Sequence, residues 1–428
     1  MSIIPLIPEV QAYEWGIPGN RDDCLVANYA EKTPELGLVR KDHQPYAELW
    51  MGTHPTLPSR AILADHSTPL LNDILLQDRS KVGQDFERKF RVDEARGALP
   101  FLFKVLSINK ALSIQAHPDK KLAERLHAEK PNMYKEMAIA LQPFEGFCGF
   151  RPLAEISKFV RTIPELRHVL GADERMLSRL EEAAALQNQR DDTEAKDTVR
   201  ATLKDAFSAL MHAEQSTYAP QVERLAERLG ASEDSAIPAE LSELVQRLHR
   251  QYPNDVGVFC TFFLNMVHLK KGEAMFLKAN EPHAYLSGNI LECMAASDNV
   301  VRAGLTPKAR DVDVLVDMLS YESASVEKQR LESPVWQGDE TRSTRLFDPP
   351  IPEFAVLMTN LSAGAKAQHR ALHGPSIVLI TQGSGTLQSG SESVPVHMGL
   401  VWFVAANTEL IIEAAEPLVM ARAFVEPA

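Results

Sequence analysis

The stretch "PFLFKVLSINKALSIQAHPDKK", residues 100–121, is the part of the chain that decides how the rest is read. Its two halves, "PFLFKVLSI" and "ALSIQAH", are rich in the branched and aromatic residues that suit a pleated strand. On a strand, residues i and i+2 point to one face, so Gln115 and His117 converge. Pro118, Asp119, Lys120 and Lys121 then end the run abruptly. A glutamine on a buried face needs a hydrogen-bond partner. The pair therefore reads either as a satisfied polar contact or as part of a metal site.

The chain around it has 428 residues, enough for two or three domains with ample core. Its net charge of −13 argues against nucleic acid and anionic membranes, which need a basic footprint. Cys24, Cys148, Cys260 and Cys293 stand far apart with no CxxC pair, which fits a reducing compartment. The opening "MSIIPLIPEVQAYEWG" has no basic n-region, and no apolar run approaches membrane-spanning length. A soluble cytoplasmic protein is expected.

Strand-like runs dominate up to Arg151. Between Pro152 and about Arg250 the period changes: Val199, Leu203, Phe207 and Leu210, then Leu241, Val245 and Leu248, recur at helical spacing. Gly230 reads as a helix C-terminus and "DDTEAKD" as a charged, solvated segment. The β texture returns with "VGVFCTFFLNMVHL", "EAMFLKA" and "NILECMAA", followed by a helix in "DVDVLVDMLSY". "TRLFDPPIPEF" reads as a linker because its prolines oppose regular structure. The last ~75 residues are closely spaced strands with Gly and Ser turns, the pattern of a sandwich or jelly roll. The expectation is a mostly β protein with an interposed helical domain: residues 1–151 and 254–335 form the first β domain, 152–253 the helices and 336–428 the second β domain.

Two further residues raise the metal reading of Gln115 and His117. Glu136 opens the apolar run "EMAIAL", and His283 follows the strand "EAMFLKA" in a Pro–His turn. Two imidazoles, a carboxylate and an amide oxygen suit a borderline divalent ion, with zinc the best match. A second cluster, Arg302, Lys308 and Arg310, surrounds a Gly/Pro turn in "VVRAGLTPKARD". It reads as a solvated basic loop or as a phosphate pocket, a local positive site being needed to collect an anion against the global field.

The long motifs "PYAELWMGTHP", "LPFLFKVLSINKALSIQAHPDK", "EMAIAL…FCGFRP" and "NEPHAYLSGNILECMAASDNVVRAGLTPK", in this order, resemble the type I phosphomannose isomerases. The resemblance runs from "YEWG" to the C-terminus and is weakest in the helical block. It implies a cupin fold, with a catalytic jelly roll interrupted by a helical domain and followed by a second jelly roll. It also implies one zinc per chain on Gln115, His117, Glu136 and His283, with Arg302 as active-site arginine and Lys308 in the phosphate loop. Trp15, Glu48, Lys104, Ser113, Tyr285, Glu292 and Asp298 would surround the pocket. Trp15 equally reads as a packed aromatic, and Glu48 with Lys104 as an ion pair. The implied reaction interconverts mannose 6-phosphate and fructose 6-phosphate through an enediolate, with Glu292 moving the proton, and feeds GDP-mannose synthesis. A cytoplasmic monomer is expected.

One departure stands out. The family usually reads N-H-K-P-E-M before "AIAL", whereas this chain has "PNMYKEM", so Lys135 adjoins Glu136 directly. The alternative reading is a catalytically impaired bicupin that still binds sugar phosphate or metal. An iron-dependent cupin oxygenase is a third class, opposed by the extra Gln115 and the basic loop.

Overall fold

The computed structural model describes residues 1–90, 98–119, 136–231, 236–295 and 300–426. Its centre is a two-layered β sandwich. One layer runs in the order Arg330–Leu331, Ala274–Leu277, Glu136–Ala140, His283–Ala295, Phe101–Ile108, Glu48–Met51 and Glu9–Gln11. The other runs Leu264–Leu269, Phe144–Phe150, His283–Ala295, Ile114–Ala116 and Val301–Gly304. The strand His283–Ala295 belongs to both. Its first half pairs with Phe144–Phe150 and its second with Phe101–Ile108 and Glu136–Ala140.

Gly288 is where this strand passes from one layer to the other. Its φ is +110°, and a Cβ there would meet the Pro143 carbonyl oxygen at 2.4 Å, so only glycine fits. The bend also shifts the alternation. His283 and Tyr285 face inward before it and Ile290 and Glu292 after it, while Ala284 and Leu286 pack toward the helices and Leu291 and Cys293 away from them.

Three cores follow from that alternation. Leu106, Ile108, Ala138, Ala140, Phe144, Tyr285 and Ile290 fill the space between the layers. Phe147, Phe150, Leu264 and Ala303 on the outside of the second layer pack against Phe159, Leu203 and Phe207 of the helices. Phe103, Val105, Met137 and Leu291 on the outside of the first layer pack against Ile377, Leu379 and Phe403 of the C-terminal sandwich. Each fully buried Leu or Phe contributes about 1.5–3 kcal/mol relative to exposure. The central sandwich is thus clamped between a helical block and a second sandwich, the cupin-type double jelly roll with helical domain that the resemblance implied.

The helical residues singled out by period are buried: Leu203, Phe207, Leu210, Val245 and Leu248 are each 0% exposed. The solvated "DDTEAKD" segment opens the helix Thr193–His212, because the Asp192 side chain accepts from Ala195 N at 3.1 Å and caps it. Gly230 is the penultimate residue of the helix Gln215–Ala231, in keeping with its reading as a helix C-terminus. Two details differ from the sequence expectation. "VGVFC" forms a helical turn, Gly257–Cys260, before the strand Leu264–Leu269 begins. "TRLF" is a strand, Thr344–Phe347, paired with Ala355–Leu361, and the prolines sit in the connection between them. The first strand, Ile3–Ile7, joins the C-terminal sandwich by pairing with Val401–Val404. No helix among the described residues is long and apolar enough to cross a membrane.

Candidate metal centre and active site

Strand register gathers the polar residues at one end of the central sandwich. In antiparallel pairs, directly opposed residues share a face. Lys104 is opposed by Glu292 on one side and Trp50 on the other, and Glu48 lies two residues before Trp50. Glu136, opposed by Met294, is on the same inner face. In the other layer Gln115 is opposed by His283 on one side and Arg302 on the other. Apolar side chains fill the far end of the sandwich, so the charged groups form one continuous patch.

At its heart, ligand atoms of His117, Glu136 and His283 all lie within 4.8 Å of one another, and all three residues are buried. Glu136 Oε2 is 3.6 Å from His117 Nε2 and 3.5 Å from His283 Nε2, and the two imidazoles are 4.9 Å apart. His283 Nδ1 lies 3.1 Å from the Glu281 carbonyl oxygen, which assigns the ring proton to Nδ1. That leaves the His283 Nε2 lone pair pointing inward, buried and without a hydrogen bond among the described residues. A ligating histidine has this arrangement, with its other nitrogen donating to a carbonyl. Burial alone would raise the Glu136 pKa, but the neighbouring His117 imidazole above all pulls it well below the ordinary carboxylate range. A divalent cation on the same atoms would act in the same direction. Gln115, partly buried and paired with His283 across the strands, carries an amide oxygen, a third type of donor.

A second buried group adjoins the first. Lys104 Nζ is 3.1 Å from Glu292 Oε2 and 4.0 Å from Glu48 Oε2, and 4.9 Å above the Trp50 ring. The Trp50 indole N–H donates to Glu48. Tyr285 Oη donates to Glu292 Oε1 at 2.7 Å and lies 3.4 Å from Glu136 Oε2, which couples the two clusters. Burial pushes the Glu292 pKa up to about 7 against the opposing pull of Lys104, with Glu136 and Glu48 adding to the rise. Burial would lower the Lys104 pKa, but Glu292, Glu48 and Glu136 outweigh it and raise it above the ordinary value.

The remaining candidates are more peripheral. Trp15 packs on the inner cluster and stacks on Tyr13, with ring centroids 5.8 Å apart. Ser113 is half-buried just before the strand Ile114–Ala116. Arg302 is half-buried opposite Gln115, and Lys308 is exposed beyond the same strand. Asp298 and Lys135 lie outside the described residues.

Sequence reading missed Trp50 and Asp255. The Asp255 carboxylate accepts from Leu305 N at 2.7 Å, Thr306 N at 3.2 Å and Gly257 N at 2.7 Å, so it pins the turn that leads to Lys308. Leu305 has a φ of +53° in that turn. An Asp two residues before a Gly is an Asx-turn signal, but nothing local announces that the same carboxylate reaches a loop fifty residues on.

The chain matches the model of the type I phosphomannose isomerase catalytic domain over residues 3–153, the helical insertion domain over 176–264 and the C-terminal region over 345–392. It is 45% identical to a mannose-6-phosphate isomerase of Cryptococcus neoformans var. neoformans, covering 99% of each chain. It is 42% identical to the Saccharomyces cerevisiae protein of the same name, covering 97% of each. Among solved structures, a phosphomannose isomerase variant from Salmonella typhimurium superposes with a TM-score of 0.80 at 27% identity, over 100% of both chains. A mannose 6-phosphate isomerase solved with zinc bound gives 0.78 at 27% identity, again over 100% of both. A chain that aligns end to end with these proteins, and whose buried His–Glu–His cluster lies in the matching fold, belongs to the type I phosphomannose isomerase family.

Proposed function

We propose that the protein is a zinc-dependent aldose–ketose isomerase that interconverts mannose 6-phosphate and fructose 6-phosphate, upstream of GDP-mannose synthesis. The observation that carries this reading is the convergence of His117, Glu136 and His283 beside the buried Glu292–Lys104 pair. The donor set fits zinc: two imidazole nitrogens, one carboxylate held ionised and one amide oxygen from Gln115, with no thiolate among them. Zinc held there supplies Lewis acidity that makes the C–H bond next to the sugar carbonyl easier to ionise.

The protein groups divide the remaining work. Glu292 removes the proton from C2 of the aldose and returns it to C1, while a second proton passes between O2 and O1, so the ketose forms without net gain or loss. A carboxylate whose pKa stands near 7 is well matched to giving and taking a proton near neutrality. Lys104 stabilises its ionised form, and Tyr285 orients it through the hydrogen bond to Oε1. Arg302 stabilises charge on the oxygens as the enediolate forms. Lys308 holds the phosphate, a remote handle whose binding energy positions the sugar. Trp15, Glu48 and Ser113 complete the pocket.

The impaired-bicupin alternative rests only on the shortened stretch before Glu136, and Glu136 itself stands in the cluster. A coupled isomerase assay, run before and after chelation and with metal analysis, tests the proposal. Activity lost with the metal and restored by zinc is the expected result. A metal-loaded protein inert toward both sugar phosphates would overturn it.

A further inference from the structure

His117 lies one residue past the end of its strand, Ile114–Ala116. The ladder to His283–Ala295 consists of the single pair His283↔Gln115. Strand pairing therefore fixes Gln115 against His283 but leaves His117 beyond the last rung. Asn280 makes up the difference. Its backbone N–H donates to the His117 carbonyl oxygen at 2.8 Å. Its side chain forms a reciprocal pair with Asp119, Oδ1 accepting from Asp119 N at 3.0 Å and Nδ2 donating to Asp119 Oδ2 at 2.9 Å. Its own carbonyl accepts from Ser320 N at 2.9 Å, which anchors the turn to the segment after the helix Val312–Met318. Asn280 has a φ of +61°, a conformation that asparagine tolerates better than other residues with a side chain. Three residues on, the same turn delivers His283.

We infer that Asn280 is a positioning residue for the metal centre, clamping the turn that carries His117 to the turn that carries His283 so that the two imidazoles stand pre-set for one ion. This rests on the zinc reading above. Each single bond is ordinary. Their placement is not: three hydrogen bonds from one residue span the gap where the sheet ladder stops. Residues that orient ligands in this way typically influence metal affinity by about 10–100-fold.

The test is zinc affinity, measured by competition with a chromophoric chelator on the full-length protein, alongside the melting temperature of the zinc-free form. Asn280→Gly keeps the positive φ and the backbone bond to His117 but loses both side-chain bonds to Asp119. It should weaken zinc binding by about tenfold or more while the zinc-free melting temperature stays close to that of the parent. Asn280→Asp alone sets two carboxylates against each other and should weaken binding further. The exchange Asn280→Asp with Asp119→Asn restores a donor facing an acceptor with the same net charge, and should recover most of the affinity. If Asn280→Gly binds zinc as tightly as the parent, or loses affinity only in proportion to a lower zinc-free melting temperature, the clamp has no role in the metal centre. A parent protein that binds no zinc would instead remove the functional reading itself.

Discussion

Lys104 Nζ lies 3.1 Å from Glu292 Oε2 in the interior of the central sandwich, where both side chains are buried. The pairing sets the charge state of the proposed proton carrier. With Glu292 near 7, kcat/KM should rise with pH along an acid limb near that value, since the base must be ionised. Lys104→Met removes the cation that opposes burial. The limb should then move upward by about 1–3 units, with the largest loss of activity at and below neutrality and partial recovery at high pH. A pH–rate profile of the two proteins checks this. An unchanged limb would take Glu292 out of the proton-transfer role.

The two carboxylates also bias the stability of the zinc-free protein in opposite senses. Glu292 has a raised folded pKa, so its contribution is full below about 4.5 and is lost as pH rises through about 7. Glu136 is depressed, so its contribution is present above about 4.5 and is lost as pH falls. Glu292→Gln should flatten the decline on the neutral side and leave the acid side in place, as read from urea midpoints at several pH values.

The metal ligands make a separate prediction. Purified protein should hold about one zinc per chain, and His283→Ala should lose the metal and the activity together. Removing one donor from the proposed four-donor cage leaves too few for tight binding. The zinc-free variant should melt close to the zinc-free parent, because the loss is of ligand linkage rather than of core. Full metal content and full activity in His283→Ala would mean that the cluster is not the site.

What the sequence disclosed and what it withheld divide along physical lines. The strand Phe101–Ile108 was legible because all eight of its residues are buried and apolar or branched types dominate it. The helix faces of Leu203, Phe207 and Leu248 were legible because period is a local property. Gln115, His117, Glu136 and His283 could be named because the motifs carry them, and alternation already aimed the first two alike. The Asp255 carboxylate under the Lys308 turn and the Asn280–Asp119 pair were not legible, since hydrogen bonds between distant loops leave no periodic trace. The partner of the Ile3–Ile7 strand was not legible either: a continuous apolar run allows a buried strand but does not say which sheet takes it.

Substrate charge distinguishes the two cations beyond Gln115. Arg302→Ala should keep the zinc and lower kcat/KM by about 10²-fold or more, the usual cost of losing an electrostatic stabiliser. Lys308→Ala should act on phosphate binding, so its penalty should shrink with unphosphorylated mannose. Asp255→Ala, which frees the backbone of Leu305 and Thr306, should follow the Lys308 pattern in KM rather than the Arg302 pattern in kcat. Equal losses with both sugars would separate Lys308 from the phosphate.

The C-terminal sandwich contains a buried polar network that should govern acid stability without touching catalysis. His369 is 0% exposed, with Nε2 3.0 Å from both Thr344 Oγ1 and Thr359 Oγ1, and Nδ1 3.4 Å from Arg422 Nη1. Thr344 also donates to Asp339, and Arg422 donates to Ser376 Oγ at 2.9 Å. Burial, with the Arg422 guanidinium adding to it, pushes the His369 pKa down to about 3. A depressed folded pKa means that the unfolded chain takes up a proton which the folded chain refuses. The stabilising contribution is therefore whole above about 6.5 and is lost as pH falls toward 3, at about 1.4 kcal/mol per pH unit. His369→Gln abolishes that titration while keeping polar atoms near the two threonines. Its melting temperature should be lower than the parent's at pH 7.5, because an amide cannot reproduce every bond of the ring and a buried polar group left unmet costs about 1–3 kcal/mol. The gap between variant and parent should then narrow below pH 6 and close or reverse by about pH 4, while zinc content and kcat per folded molecule stay at the parent's values. Melting curves that run parallel across that range would show that His369 is protonated in the folded protein, and that the network is arranged around a cation rather than a neutral ring.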